Sequence, residues 1–247
     1  MEIVAALIAG AFIGTVLGFV GAGGAMLSVP ILINIFDFSP HQATTAALAV
    51  VFLAALSGAV PKMRTHEVLY RDALIIWGIG LVTNIGFSAI ADSLPEKFIS
   101  TGFALVLFFA SYSMFRAPFT DVHRRIPVAL LVVISLIVGA ITGLFGIGGG
   151  FLVIPTLVLF FGTPQNIAAG TSLLVISANS LTALIGHHAM WSQVQWEIPA
   201  VMALAAVIMA STASHFGKVA SPATLRKAFA GLLFAVALFT LVSTWVA

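Results

Sequence analysis

Residues 18–33 read Gly-Phe-Val-Gly-Ala-Gly-Gly-Ala-Met-Leu-Ser-Val-Pro-Ile-Leu-Ile, and residues 143–158 read Gly-Leu-Phe-Gly-Ile-Gly-Gly-Gly-Phe-Leu-Val-Ile-Pro-Thr-Leu-Val. The two stretches are offset by 125 and agree at 7 of 16 positions, pairing Gly18, Gly21, Gly23, Gly24, Leu27, Pro30 and Leu32 with Gly143, Gly146, Gly148, Gly149, Leu152, Pro155 and Leu157. A glycine break inside an apolar stretch, placed once in each half, is the pattern of a two-fold transporter with broken helices.

Composition sets the environment. The chain of 247 residues is 61% hydrophobic and 7% charged, against about 25% charged in soluble domains. So little charge marks an integral membrane protein. A net charge of +2 gives no basis for nucleic-acid binding, and the lack of cysteine excludes disulfides and thiolate chemistry. Apolar stretches of spanning length fall near 2–20, 42–60, 73–91, 98–115, 127–145, 166–186, 198–215 and 228–246. Two shorter ones, 25–36 and 150–161, follow the glycine breaks and read as half-spans.

The distribution of lysine and arginine decides the topology. If both short stretches turn the chain back, Lys62, Arg64, Arg71, Arg116, Arg124, Arg125, Lys218, Arg226 and Lys227 share one side, and only Lys97 lies on the other. If they do not, the split is six to four. The first arrangement obeys the positive-inside rule. It predicts an all-α polytopic membrane protein with two inverted repeats of about five segments each. Residues 1–115 form the first repeat, 116–126 a cytoplasmic linker and 127–247 the second repeat, and both termini lie on the non-cytoplasmic side. The apolar spans contain almost no lysine or arginine, and no buried basic residue is expected.

The breaks suggest chemistry. Four glycines in each permit positive φ and close approach to the backbone, and the short helices after them present free N–H groups and positive dipole ends. Two such ends would bind a small anion without a charged side chain. Glycines also serve close helix packing in membranes. Thr44, Thr45, Thr171 and Ser172 stand near the starts of long helices, where their hydroxyls either cap N-termini or complete the anion cradle. Asn84 and Asn179 lie within spans, lining the pathway or joining helices. His187 and Glu197 are candidates for proton coupling, while neighbouring Trp191 and Trp196 read equally as interfacial anchors. His41, His187, His188 and His215 lie at span ends and no acid lies inside a span, so an intramembrane enzyme is disfavoured and no cofactor or metal is expected.

Together the two glycine motifs and the Gly170-Thr171-Ser172-Leu173 run resemble the sulfite exporter TauE/SafE family of bacterial membrane proteins. The likeness covers essentially the whole chain; the first half carries Ala-Thr-Thr-Ala-Ala-Leu where the second has Gly-Thr-Ser-Leu. It implies a secondary transporter, in the bacterial inner membrane, of small sulfur-containing anions such as sulfite, thiosulfate or organosulfonates. The matching residues are Gly21, Gly23, Gly24 and Pro30, then Gly146, Gly148, Gly149, Pro155, Gly170, Thr171 and Ser172. The alternatives are an anion channel of the same fold, a carrier of another small organic anion, and a partner-binding membrane subunit. The expected partners are a small anion and membrane lipid, with a homo-oligomer left open and no nucleic acid.

Overall fold

The computed structural model describes residues 1–91, 94–116, 127–145, 150–216 and 221–245. Among them all the regular secondary structure is helical. The helices are α1 (Glu2–Val20), α2 (Gly24–Phe36), α3 (Pro40–Arg64), α4 (Tyr70–Ala91), α5 (Glu96–Arg116), α6 (Val128–Phe145), α7 (Gly150–Pro155), α8 (Gln165–Gly186), α9 (Glu197–Phe216) and α10 (Pro222–Trp245). α7 widens into a π turn over Thr156–Phe160, and a 3-10 turn at His188–Gln193 precedes α9. Six helices, α1, α3, α5, α8, α9 and α10, contain apolar segments long enough to cross a membrane. This is a multi-pass membrane protein.

The packing reveals which way each helix runs. Along α1, Gly10, Gly14 and Gly18 lie against the backbone of Met202, Ala206 and Ala210 in turn, so α1 and α9 are parallel. The Ser57 and Ser214 hydroxyls donate to Val207 O and Gly58 O at 3.0 and 2.6 Å, and further along both helices Pro61, Arg64 and Thr65 share a cavity with Ser211, Thr212 and His215, so α3 is parallel to α9 as well. With α1 and α3 pointing the same way, α2 must bring the chain back between them. On the other side Gly80 and Asn84 meet Gly139 and Gly143, so α4 and α6 are parallel. Leu69 meets Thr171 at the start of α4, and Asn84 and Asn179 share a void further on, so α8 runs the same way. The α7 segment therefore reverses the chain too. Antiparallel to each other, α5 and α10 are joined by Ser111 Oγ donating to Ala230 O and by Lys97 over the Trp245 ring.

The α1–α9 and α4–α6 pairs both join one helix from each half of the chain, and glycine makes both possible. A Cβ at Gly14 would sit 2.7 Å from Ala206 Cα, and one at Gly139 2.7 Å from Gly80 Cα. Gly18 and Gly143, counted with the breaks in the sequence, lie inside α1 and α6 and serve this packing. Positive φ is confined to Gly21 and Gly23 in the first break. Gly146, Gly148 and Gly149, and most of the 116–126 linker, lie outside the described residues.

Candidate functional site

The first break is an interior feature. Gly21 ends α1 in the left-handed region at φ 81°, and its N–H donates to Leu17 O. Gly23 starts α2 at φ 95°. Residues 21–24 are all buried. Gly24 lies against Leu17 and Val51, and Gly23 against Leu232, both of the latter well inside their helices. α2 has no side-chain cap, so the N–H groups of its first turn are left for another acceptor. Pro30 inside α2 removes one more backbone donor.

The partner of this break comes from the other half. Cβ at Gly21 would collide with Ala169, one turn into α8. Four residues earlier, about 6 Å along the helix, α8 begins at Gln165 behind Pro164 with no side-chain cap. Gln165 is only 3% exposed, and neither its Oε1 nor its Nε2 has a hydrogen-bond partner. The hydroxyl of Thr163, 2% exposed, is also unpartnered. α3 starts differently: Ser39 accepts from Gln42 N and the Gln42 side chain accepts from Ser39 N, a closed capping box. Buried polar groups are nearly always paired; three unpaired atoms at an uncapped, buried helix start are therefore what a polar ligand would satisfy. The sequence reading missed Gln165. Its signal was Pro164 at the head of α8 with no Ser, Asp or Asn at the capping position.

The predicted threonines do not cap. Thr44, Thr45 and Thr171 stand in the second turns of α3 and α8, donating to Pro40 O, His41 O and Ile167 O. The helices begin at Pro40 and Gln165, two and one residues before the apolar stretches 42–60 and 166–186, which leaves all three threonines inside them. Thr44 lines a cavity of about 270 Å³ between α2, α3, α5 and α10, with Ala25, Met26, Phe103 and Phe239. Thr45, fully buried, meets His187 Nδ1 at 3.0 Å. Thr171 Oγ1 accepts from Leu69 N at 3.0 Å, and the site of a Gly170 Cβ is filled by Glu67 O and the Lys62 stem. Gly170 and Thr171 thus dock the α3–α4 connection onto α8, and Ser172 is buried beside them. Thr171→Val should strand the Leu69 N–H at a cost of about 1–3 kcal/mol, lowering Tm by several degrees, while Thr171→Ser keeps the wild-type value; equal Tm for Val and Ser would remove this docking role.

A buried cation corrects another expectation. Lys62, counted from sequence among the cytoplasmic basic residues beyond the 42–60 stretch, is 1% exposed and pairs with Glu67 Oε2 at 3.5 Å. The other Glu67 oxygen accepts from Asn166 Nδ2 at 3.1 Å. Arg226, in α10, is 6% exposed. Basic residues therefore do enter the protein interior. His187 and Glu197 are not joined by an ion pair among the described residues; Glu197 is exposed in the first turn of α9. Trp191 Nε1 donates to Leu184 O and Trp196 Nε1 to Trp191 O, tying each indole to a backbone carbonyl at that end.

The sequence profile described as sulfite exporter TauE/SafE matches residues 6–240. The chain belongs to the sulfite exporter TauE/SafE family. A probable membrane transporter protein of Xylella fastidiosa is 26% identical over 249 residues, 96% of this chain and 94% of that one. The probable membrane transporter protein YunE of Bacillus subtilis is 28% identical over 223 residues, 77% of this chain and 81% of its own. No solved structure gives a significant match. Family membership makes this a membrane transporter, and its interior holds the first break and the uncapped start of α8.

Proposed function

We propose that the protein is a secondary transporter of small sulfur-containing anions, sulfite, thiosulfate or an organosulfonate, in the bacterial inner membrane. The observation that carries this reading is the uncapped start of α8, where Gln165 and Thr163 hold three buried polar atoms without partners beside the Gly21 break. Amide N–H donors and the ends of α2 and α8 suit oxyanion oxygens. The neighbouring 270 Å³ cavity, largely apolar with the hydroxyls of Thr44, Ser100 and Thr240, would take the carbon chain of an organic anion.

In this reading the halves are inverted copies and both termini face away from the cytoplasm. Glycine packing locks α1 to α9 and α4 to α6, so the bodies that rock are not the sequence halves. One comprises α1, α2, α3 and α9, the other α4, α6, α7 and α8. Alternating access is their movement about the α3–α8 contact, where Gly58 touches Leu173. An ungated channel is the competing mechanism, and counterflow separates the two.

The test is a melting-temperature panel on purified protein with sulfite, sulfate, thiosulfate, taurine, sulfoacetate, phosphate, chloride and short carboxylates. A ligand of the folded state raises Tm by mass action. A saturable rise with a sulfur anion, absent with phosphate and chloride and abolished in Gln165→Leu, supports the proposal. A response to carboxylates alone overturns the substrate class, and an unchanged response in Gln165→Leu overturns the site.

A further inference from the structure

Asn84 and Asn179, from α4 and α8, line one small void together with Thr142 of α6 and Val153 of α7. Its volume is about 10 Å³, the lower bound for one water and far too small for a sulfonate. The substrate role expected of the two amides therefore does not fit this void. Neither amide makes a side-chain hydrogen bond with another described residue, although Asn84 lies well inside α4 and Asn179 well inside α8. The Thr142 hydroxyl donates to Val138 O at 2.6 Å, leaving its oxygen lone pairs as the free valence.

The chain supplies its own control. The 125-residue offset carries Val138, Gly139, Thr142, Val175 and Asn179 onto Ile13, Gly14, Leu17, Val50 and Ala54. Gly80 and Asn84 meet Gly139 and Gly143 as Ala206 and Ala210 meet Gly14 and Gly18. At the related place, Ile13, Leu17, Val50, Ala54, Ala206 and Ala210 are each 0% exposed. Packing alone is thus satisfied there by alanine and leucine. Where the fold permits Ala210, Ala54 and Leu17, the other bundle places Asn84, Asn179 and Thr142. Polar side chains at membrane depth are costly unless they serve a ligand or a partner.

We infer that the Asn84–Thr142–Asn179 void binds a desolvated monovalent cation, with sodium as the fitting size. Two amide oxygens and a hydroxyl oxygen supply neutral ligands of the kind transporters use for sodium. A sodium ion stripped of its water is smaller than a water molecule and fits where a sulfonate does not. In the proposed function, which lends the inference its physiological role but not its chemistry, the cation travels with the anion and offsets its charge. The nearby polar groups are neutral: no carboxylate, lysine or arginine lines the void.

The experiment compares Tm of the purified full-length protein in sodium, potassium and choline chloride at equal ionic strength, with no anion substrate, alongside equilibrium binding of radioactive sodium. Sodium at about a hundredfold above Kd should raise Tm by roughly 5–10 °C, and choline should not. Asn179→Ala should abolish the shift and the bound radioactivity, and the isosteric Asn179→Asp should retain both. Equal Tm in all three salts with no bound sodium overturns the inference and leaves a water in the void. A sodium response that survives in Asn179→Ala overturns the location. Repeating the sulfur-anion panel in sodium and in choline separates the two proposals. A sodium shift without any anion shift sinks the substrate reading alone, whereas an anion shift without a sodium shift sinks the cation site alone.

Discussion

Gly21→Ala is expected to yield no monodisperse folded protein, whereas Gly23→Ala is expected to fold and to lose at least tenfold in transport. Both glycines have φ in the left-handed region, where a Cβ costs about 1–2 kcal/mol. They differ in what the new methyl meets. At Gly21 it would lie 2.6 Å from Ala169 Cβ, 2.7 Å from Ala169 Cα and 2.9 Å from Ala169 O. A helix backbone cannot yield there without moving all of α8, so overpacking adds about 1–3 kcal/mol. The sum is a large share of a stability of about 5–15 kcal/mol. At Gly23 the nearest atom is Leu232 Cδ2 at 3.0 Å, the tip of a side chain that can rotate. That variant pays mainly the backbone term, roughly 2–8 °C in Tm. It also places a methyl at the mouth of the α2 N-terminus, where a ligand would reach the N–H groups. Size-exclusion and thermal unfolding in detergent, followed by flux in liposomes, separate the two effects. Wild-type Tm in Gly21→Ala would refute the packing argument, and wild-type flux in Gly23→Ala would take the break out of the pathway.

Much of this architecture was legible in the sequence because lipid is a demanding solvent. Backbone groups in hydrocarbon must be paired within helices, so apolar length and glycine punctuation alone placed α1 to α10 within a few residues. The lysine and arginine count required the chain to turn back after each break, and the parallel course of α1, α3 and α9 reports such a turn. Crosswise pairing was hidden. Nothing in residues 18–24 says that their neighbour is Ala169 rather than Thr44, since both follow a proline near a helix start. The threonines were read as possible caps although the apolar stretches already began before them, at 42 and 166; Ser39-Pro40-His41-Gln42, a capping box with proline at the first helical position, was readable and marks the true start of α3. Gln165 escaped notice because an amide beside a proline looks like loop chemistry until its burial is known. Lys62 was read as a loop charge because the apolar stretch was ended at residue 60, whereas α3 runs on to Arg64, and a hydropathy window cannot tell a lysine facing water from one facing α8.

Lys62 carries the second large effect. Lys62→Met keeps the aliphatic stem that lies on Gly170, 3.1 Å from the place of a Cβ there, and removes only the charge. Glu67, 17% exposed, then loses its counter-charge while keeping the Asn166 hydrogen bond. Breaking one side of a buried pair typically costs about 3–5 kcal/mol, which corresponds to roughly 6–20 °C in Tm for a chain of this size. Glu67→Gln should cost a similar amount, because it removes the counter-charge of the more deeply buried member. The decisive sample is the double variant Lys62→Met with Glu67→Gln. It leaves no uncompensated charge, so its Tm should lie well above the sum of the single losses, with a coupling of about 1–3 kcal/mol in the cycle. Strict additivity would mean that Lys62 answers to other groups and that the 3.5 Å approach to Glu67 contributes little. A recovered Tm with lost transport would go further. Residues 62–71 bind to α8 through Thr171 and Asn166, within two turns of Gln165, so the ion pair would then be holding the entrance to the proposed anion site in shape, a positioning role distinct from its part in stability.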